Sequence, residues 1–207
     1  AGLLCVGGLG AVGQAQALDP NALPTGAVRQ AGEVTHSVND LGNVMTIVQT
    51  TSRAVVNYNT FNIGSAATVN HRGGVMLARV TGAGASQIHG TLTTSGMVLV
   101  NPNGVAIGST ANINAGSFTA STLNVTDANF MAGNMVFERN GATGSVVNAG
   151  TIQQDNGPGT EGGGYVALVG ASVTNSGTIT TAGGDVIMAA ADKVTIAPRV
   201  VGVPLSR

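Results

Sequence analysis

The chain has 207 residues and a formal net charge of -1; 43% of it is hydrophobic, but only 8% is charged and 3% aromatic, with 32 Gly and no Trp. So little charge leaves no electrostatic footprint for nucleic acid or an anionic membrane surface, and so few rings exclude a core built on large aromatics. What this composition can build is thin layers of Val, Ile, Leu and Ala covered by Thr, Ser and Asn, which is how stacked repeats are made.

Residues 1–17, "AGLLCVGGLGAVGQAQA", carry no charge and end in Ala15-Gln16-Ala17. That A-x-A pattern reads as the end of a secretory signal peptide without its basic n-region, cleaved after Ala17. The alternative is an apolar first strand. The run is shorter than the ~20 residues a spanning helix needs. Cys5 lies inside it behind Leu4, where a lipoprotein signal wants a small residue. Cleavage after Ala17 leaves a mature chain with no cysteine, hence no disulfide to oppose threading through a pore. Residues 18–55 are expected to form a cap and the first strands, and 56–197 the repetitive body. Residues 198–207 are read as the start of a downstream region or a truncated end.

No long amphipathic helix is evident; short Val/Ile/Thr/Leu runs alternate with Gly, Asn, Asp and Ser, the pattern of strands and turns. Internal similarity is more informative. "NAGSF" from Asn114, "NAGTI" from Asn148 and "NSGTI" from Asn175 share N-[AS]-G-[ST]-[FI], and "IHGTL" from Ile88 is a weaker relative. "MVLV" from Met97, "YVALV" from Tyr165 and "DVIMA" from Asp185 are recurring strands, apolar at consecutive positions. Val166 to Val186 is 20 residues and Asn148 to Asn175 is 27, the excess fitting the Gly-rich run "DNGPGTEGG" from Asp155 as a loop. Asn114 to Asn148 is 34, so that interval needs an extra strand pair or a bulky loop. Coils of roughly 20–30 residues with three short strands are the arithmetic of a β-helix.

Val166, Leu168 and Val186 are expected to face its lumen, and Asn114, Asn148 and Asn175 to stack at one corner. Alternatively each Asn is only a turn residue. A sandwich would instead show strict alternation and hairpin turns every 8–12 residues. "LVNPNGVAIG", Leu99 to Gly108, sets Asn101-Pro102-Asn103-Gly104 between two apolar runs, a composition suited to a type I turn. The side chains of Asn101 and Asn103 are expected to bond the backbone groups that close it.

Enzymatic chemistry finds little footing. No two carboxylates share a D-x-D or E-x-x-E spacing, no G-x-S-x-G elbow occurs, and His36, His71 and His89 stand apart, reading as polar surface or cap residues rather than metal ligands. No catalytic residue, metal or cofactor is expected. Asp192 and Lys193 read as a surface pair, and Asn124-Val125-Thr126 as an accidental glycosylation sequon. A polysaccharide-cleaving β-helix is a distant reading. A carbohydrate-binding or adhesive β-helix is the nearer alternative, although Tyr58, Tyr165 and four Phe offer few sugar-stacking platforms.

Several motifs occur together in one order: "TFNIGSAATVNH" from Thr60, "RVTGAGASQIHGTL" from Arg79, "GMVLVNPNGVAIG" from Gly96, "ANINAGSFTASTLNV" from Ala111, "FMAGNMVF" from Phe130 and the run from Gly163 to Ile196. Over about two thirds of its length the chain thus resembles the N-terminal secretion (TPS) domain of filamentous-haemagglutinin-type two-partner secretion exoproteins. It departs in one place. A second N-P-N-L motif, carried by many relatives, is missing from the short "HRGGVMLAR" interval after His71, and this makes the chain most similar to the high-molecular-weight adhesin branch.

The resemblance implies an all-β fold: a right-handed parallel β-helix with an N-terminal cap and a small extra-helical β-element. It implies export through the periplasm, recognition by a partner outer-membrane barrel transporter with POTRA domains, and secretion or retention at the cell surface. The Asn101, Pro102, Asn103, Gly104 motif becomes a candidate recognition element. Host or matrix carbohydrate would be met through the full exoprotein; no nucleic-acid partner is implied, and the domain is expected to be a monomer.

Overall fold

The structure is a computed structural model that describes residues 17–155 and 164–197. Residues 1–16 of the expected leader, residues 156–163 of the expected Gly-rich loop, and residues 198–207 lie outside the described residues. Strand accounts for 54% and helix for 3%.

In chain order, β1 (Val28–Ala31) and β2 (Val34–Val38) form the cap. Six coils follow among the described residues. The first contributes β3 (Val44–Gln49) and β4 (Arg53–Tyr58), and the second β5 (Thr68–Arg72), β6 (Val75–Val80) and β7 (Ser86–Ile88). The third contributes β8 (Thr91–Thr94), β9 (Met97–Val100) and β10 (Val105–Ile107), and the fourth β11 (Asn112–Ala115) and β12 (Phe118–Ser121). The chain then leaves the coil for α1 (Asp127–Met131) and β13 (Met135–Glu138), and re-enters at β14 (Ser145–Asn148). The fifth coil holds β15 (Thr151–Gln154), β16 (Tyr165–Gly170) and β17 (Ser172–Asn175), the sixth β18 (Thr178–Thr181) and β19 (Asp185–Ala190); β20 (Lys193–Ile196) lies outside the coil again.

The coils build three sheets, of which the first and sixth coils enter only two. Sheet I runs β2-β3-β5-β8-β11-β15-β18, sheet II runs β1-β4-β6-β9-β12-β16-β19, and sheet III runs β7-β10-β14-β17. All pairings between coils are parallel and in register; only the cap pairs β1–β4 and β2–β3 and the outside pair β13–β20 are antiparallel. Met76, Met97 and Phe118 stack at 21-residue steps. The boundary expected between residues 55 and 56 falls inside β4, all six residues of which stack on β6.

The two large sheets bury their residues differently, and the sequence explains why. Sheet I alternates: Val69, Leu92, Ile113 and Ile152 fill the lumen, while Thr91, Thr93, Asn112, Thr151 and Gln153 face outward. The middle strands of sheet II are largely apolar at consecutive positions because both their faces are covered. Met76, Met97, Leu99, Phe118, Val166 and Leu168 point into the lumen. Val55, Leu77, Val98, Val100, Ala167 and Val169 point outward into a second apolar layer, closed by Leu123, Val125, Phe130, Met135, Phe137 and Ile196. The extra interval before Asn148 is therefore a lid of helix and strand over the outer face of sheet II. It is fastened by Arg79, whose guanidinium bonds the Asn124 side chain (3.0 Å) and the Val125 carbonyl (2.7 Å) and pairs with Asp127 (2.7 Å). Arg53 lies 5.2 Å over the Phe130 ring. The sequon-like Asn124 and Thr126 thus have structural work: the Thr126 hydroxyl caps α1 by accepting the Asn129 amide.

Three expectations need correcting. Val186 is 46% exposed, not buried. It shares the lumen column of Val166, but β19 is the last described strand of sheet II, so no further described strand stacks upon it. Asp192 and Lys193 do not pair as neighbours: Asp192 binds Arg139 and Lys193 binds Glu138. His71 is neither surface nor cap but 2% exposed in the lumen, bonded to Gln49 and Thr94. His36 does lie in the cap, bonded to the Tyr58 hydroxyl at 2.8 Å, and His89 is half-buried at a corner.

The expected asparagine stack divides. Asn148 and Asn175 end successive strands of sheet III and meet directly, Asn148 Nδ2 donating to Asn175 Oδ1 at 2.8 Å. Asn114 is not with them. It lies within β11 of sheet I, between Thr93 and Gln153. The N-[AS]-G motif marks two different corners, because any tight corner favours the same small and turn-forming residues. Asn148 is fully buried, and its Oδ1 accepts the Gly150 amide at 3.1 Å. Asn148→Ala should therefore leave a buried N–H unsatisfied and lower stability by about 1–3 kcal/mol. An unchanged urea midpoint would show that water replaces the amide at no cost.

Candidate recognition site

The candidate motif forms the corner between β9 in sheet II and β10 in sheet III. Its backbone closes as a four-residue turn, the Gly104 amide donating to the Asn101 carbonyl at 3.0 Å. Gly104 has φ +124°, which only glycine adopts without strain. Pro102, in the second position, pre-sets the turn and is exposed.

The two asparagines do more than close it. Asn101 Oδ1 accepts the Asn103 amide at 3.0 Å, the local bond that the turn composition suggests. Its Nδ2, however, donates to the Gly84 carbonyl at 2.9 Å and the Ser86 hydroxyl at 3.1 Å, on the preceding coil. Asn103 Nδ2 reaches the Gly82 carbonyl there at 2.9 Å. The Gly104 carbonyl accepts the Ser86 amide at 3.0 Å, and the Pro102 carbonyl accepts the Gly144 amide at 3.2 Å from the coil above. Asn101 is fully buried, whereas Asn103 is exposed.

The motif is thus a corner pinned to coils on both sides. Its partners Gly82, Gly84 and Ser86 belong to the "GAGAS" run, and local turn rules gave no sign of this pairing. The signal available was that run's density of small residues, which permits the close approach. Chemically the site is a network of amide, carbonyl and hydroxyl groups with no charged group among those bonded. Among the described residues no group of three or more His, Cys, Asp or Glu could hold a metal ion, and no helix is long and apolar enough to cross a membrane. Ala17, the first described residue, is exposed, while Ala15 lies outside the described residues.

Known proteins match this geometry. The Haemophilus influenzae HMW1 secretion domain superposes with a TM-score of 0.74 at 32% identity, over 84% of this chain and 46% of that one. Two Haemophilus influenzae heme/hemopexin-binding proteins are 41% identical, one over 105 residues (48% of this chain, 11% of the relative) and one over 83 residues (38% and 9%). The chain therefore spans only a small part of the length of these curated relatives. The family model of the TPS secretion domain matches residues 21–198, nearly all of the described coil stack and its cap. With the parallel β-helix and the pinned corner, this places the chain in the TPS secretion domain family, as the secretion-targeting part of an exported exoprotein.

Proposed function

We propose that the POTRA domains of the partner outer-membrane transporter read this domain while its coils are incomplete, over about residues 56–125, and that the first coils then template the exoprotein that follows. A barrel pore does not admit a folded coil stack, so the chain must cross extended. Pairing between coils is non-local and hence slow. In that delay, unpaired strands are able to add to the edge of a POTRA sheet. The observation that carries the reading is the motif itself, because Pro102 and Asn103 remain exposed at a corner whose other polar groups are committed to packing. Its four residues Asn101, Pro102, Asn103 and Gly104 are assigned to recognition, with cleavage of the leader at Ala15-Gln16-Ala17. The domain acts as a monomer, reaches the cell surface or medium with its exoprotein, and has no catalytic role of its own.

A second reading is favoured by one feature. The outward residues of sheet I, such as Thr91 and Thr93, Asn112 and Asn114, Thr178 and Thr180, stand in register along the stack as a polar face suited to a repeating carbohydrate surface.

The deciding experiment is secretion of single variants co-expressed with the transporter. Asn101→Ala loses three bonds and should destabilise the domain by roughly 2–3 kcal/mol. Asn103→Ala loses one exposed bond, about 0.5–1 kcal/mol, yet export should fall sharply. Undiminished export of Asn103→Ala would leave the motif serving the fold alone.

A further inference from the structure

Asn-Gly occurs three times in the sequence, at Asn103-Gly104, Asn140-Gly141 and Asn156-Gly157. The last lies outside the described residues. The dipeptide carries a chemistry of its own. Asparagine is a thermolabile side chain, and a glycine after it has no Cβ to keep its amide nitrogen away from the side-chain carbonyl carbon. In a folded chain the reaction depends on what holds that nitrogen and that side chain.

The two described pairs differ in both respects. At Asn103 the attacking atom is engaged: the Gly104 amide donates to the Asn101 carbonyl at 3.0 Å, and Gly104 is buried. The Asn103 side chain is held as well, its Nδ2 donating to the Gly82 carbonyl at 2.9 Å. At Asn140 neither the side chain nor the Gly141 amide is bonded to a described residue. Both residues are exposed, and a Cβ placed on Gly141 would meet nothing within 4 Å. They form the centre of the turn from Arg139 to Ala142, closed by the Ala142 amide donating to the Arg139 carbonyl at 2.8 Å. Asn140 has φ +42° and Gly141 φ +80°, the type I′ geometry that Asn-Gly suits best.

We propose that Asn140 is a self-modification site of the folded domain. The deprotonated Gly141 nitrogen attacks Asn140 Cγ. A C–N bond forms and Nδ2 leaves as ammonia, giving a five-membered succinimide. Water then opens the ring at either carbonyl and leaves aspartate or isoaspartate at position 140. The product acts on the lid through Arg139. Its Nε donates across the turn to the Ala142 carbonyl at 2.9 Å, its amide donates to the Asp192 carbonyl at 2.9 Å, and its guanidinium pairs with Asp192 at 2.7 Å, just ahead of β20. Isoaspartate adds a backbone carbon inside the turn and spoils its closure. Either product also sets a carboxylate beside Arg139 that competes with Asp192. The hold of β13 on β20 then declines with the age of the folded molecule.

The test follows the full chain by peptide mass mapping at mildly alkaline pH, folded and in urea, until the urea sample is half converted. In the folded chain Asn140 should convert at least roughly tenfold faster than Asn103, because two bonds must open before Asn103 reacts. In urea, where neither pair is held, the two rates should converge. Hydrogen exchange at residues 193–196 should be faster in the aged folded chain than in the fresh one. Asn140→Gly keeps a residue suited to positive φ and removes the reacting amide, so its exchange should not change with age. Equal conversion of Asn140 and Asn103 in the folded chain, or an unchanged Asn140 while the urea sample reacts, would overturn the site. Conversion without faster exchange in β20, or the same ageing in Asn140→Gly, would overturn its action on the lid. No transporter enters these measurements, so their outcome is separate from the recognition reading.

Discussion

Leu168→Asp is expected to unfold the fifth and sixth coils, with a loss of more than about 4 kcal/mol. Leu168 is fully buried in the lumen, stacked between Ala120 below and Met188 above. Removing such a side chain from a packed interior costs about 2–5 kcal/mol in lost contacts and cavity. The carboxylate adds the cost of a charge without a partner, since the residues beside it in the lumen are apolar. In a stacked-coil protein the damage centres on the affected coil and its neighbours, so a partial transition at low urea should precede loss of the N-terminal coils. Met188→Asp is the matched control. It occupies the same column one coil further on but is 56% exposed, and should cost less than about 1 kcal/mol. Equal urea midpoints for Leu168→Asp and the parent would show that the inner face of β16 is misassigned.

That contrast also shows what the sequence could and could not reveal. The apolar run "YVALV" told correctly that β16 is covered on both faces, and Val166 and Leu168 are indeed buried. "DVIMA" carries the same pattern, yet Val186 and Met188 are exposed, because burial of a coil depends on the strand stacked next to it and not on its own residues. Repeat spacing identified the coil and the registers Val166–Val186 and Asn148–Asn175. It does not tell one corner from another, so Asn114 shares its motif with two asparagines of a different corner. The motif at Asn101 was legible as a turn, since the Asn101–Asn103 bond is local. Its bonds to Gly82 and Gly84 are not local, and only stacking brings those carbonyls within reach. The surplus length between Asn114 and Asn148 signals an insertion, expected as an extra strand pair or a bulky loop; the structure makes it a short helix and one strand. Its partner strand β20, taken from beyond the last coil, had no sequence signal except that Asp192, Lys193, Glu138 and Arg139 are rare charges in a chain with few.

Mild acid should destabilise the N-terminal half of the stack, through His71. Gln49 Nε2 donates to the carbonyls of Thr51 (2.7 Å) and Val75 (3.2 Å), which turns Gln49 Oε1 toward His71 Nε2 at 3.1 Å. The ring therefore carries its proton on Nε2, and Nδ1 accepts from the Thr94 hydroxyl at 2.8 Å. This chain of bonds ties the first, second and third coils through the lumen, and it suits a neutral imidazole. Burial, with a smaller contribution from the charge of His36, pushes the His71 pKa down to about 4. His36 is lowered in the same direction by burial. A histidine depressed in the folded state binds its proton more readily when unfolded, so the unfolded chain holds more protons and stability rises with pH. The contribution is complete above the ordinary value of 6.5 and is lost as pH falls from there through about 4. At 1.36 kcal/mol per unit, the shift amounts to about 3 kcal/mol. Urea midpoints measured from pH 7.5 to 4 should fall across that window. His71→Gln keeps polar atoms in the lumen but has no proton to bind, and should flatten the fall between pH 6.5 and 5, above the range in which carboxylates titrate. An equal slope in that interval for parent and variant would exclude His71 as its source. If the chain crosses the outer membrane extended, as proposed above, the sign matters. The first coils are then weakest where the surroundings are acidic and firmest near neutrality, so the medium outside sets how strongly the nucleus holds before later coils are stacked on it.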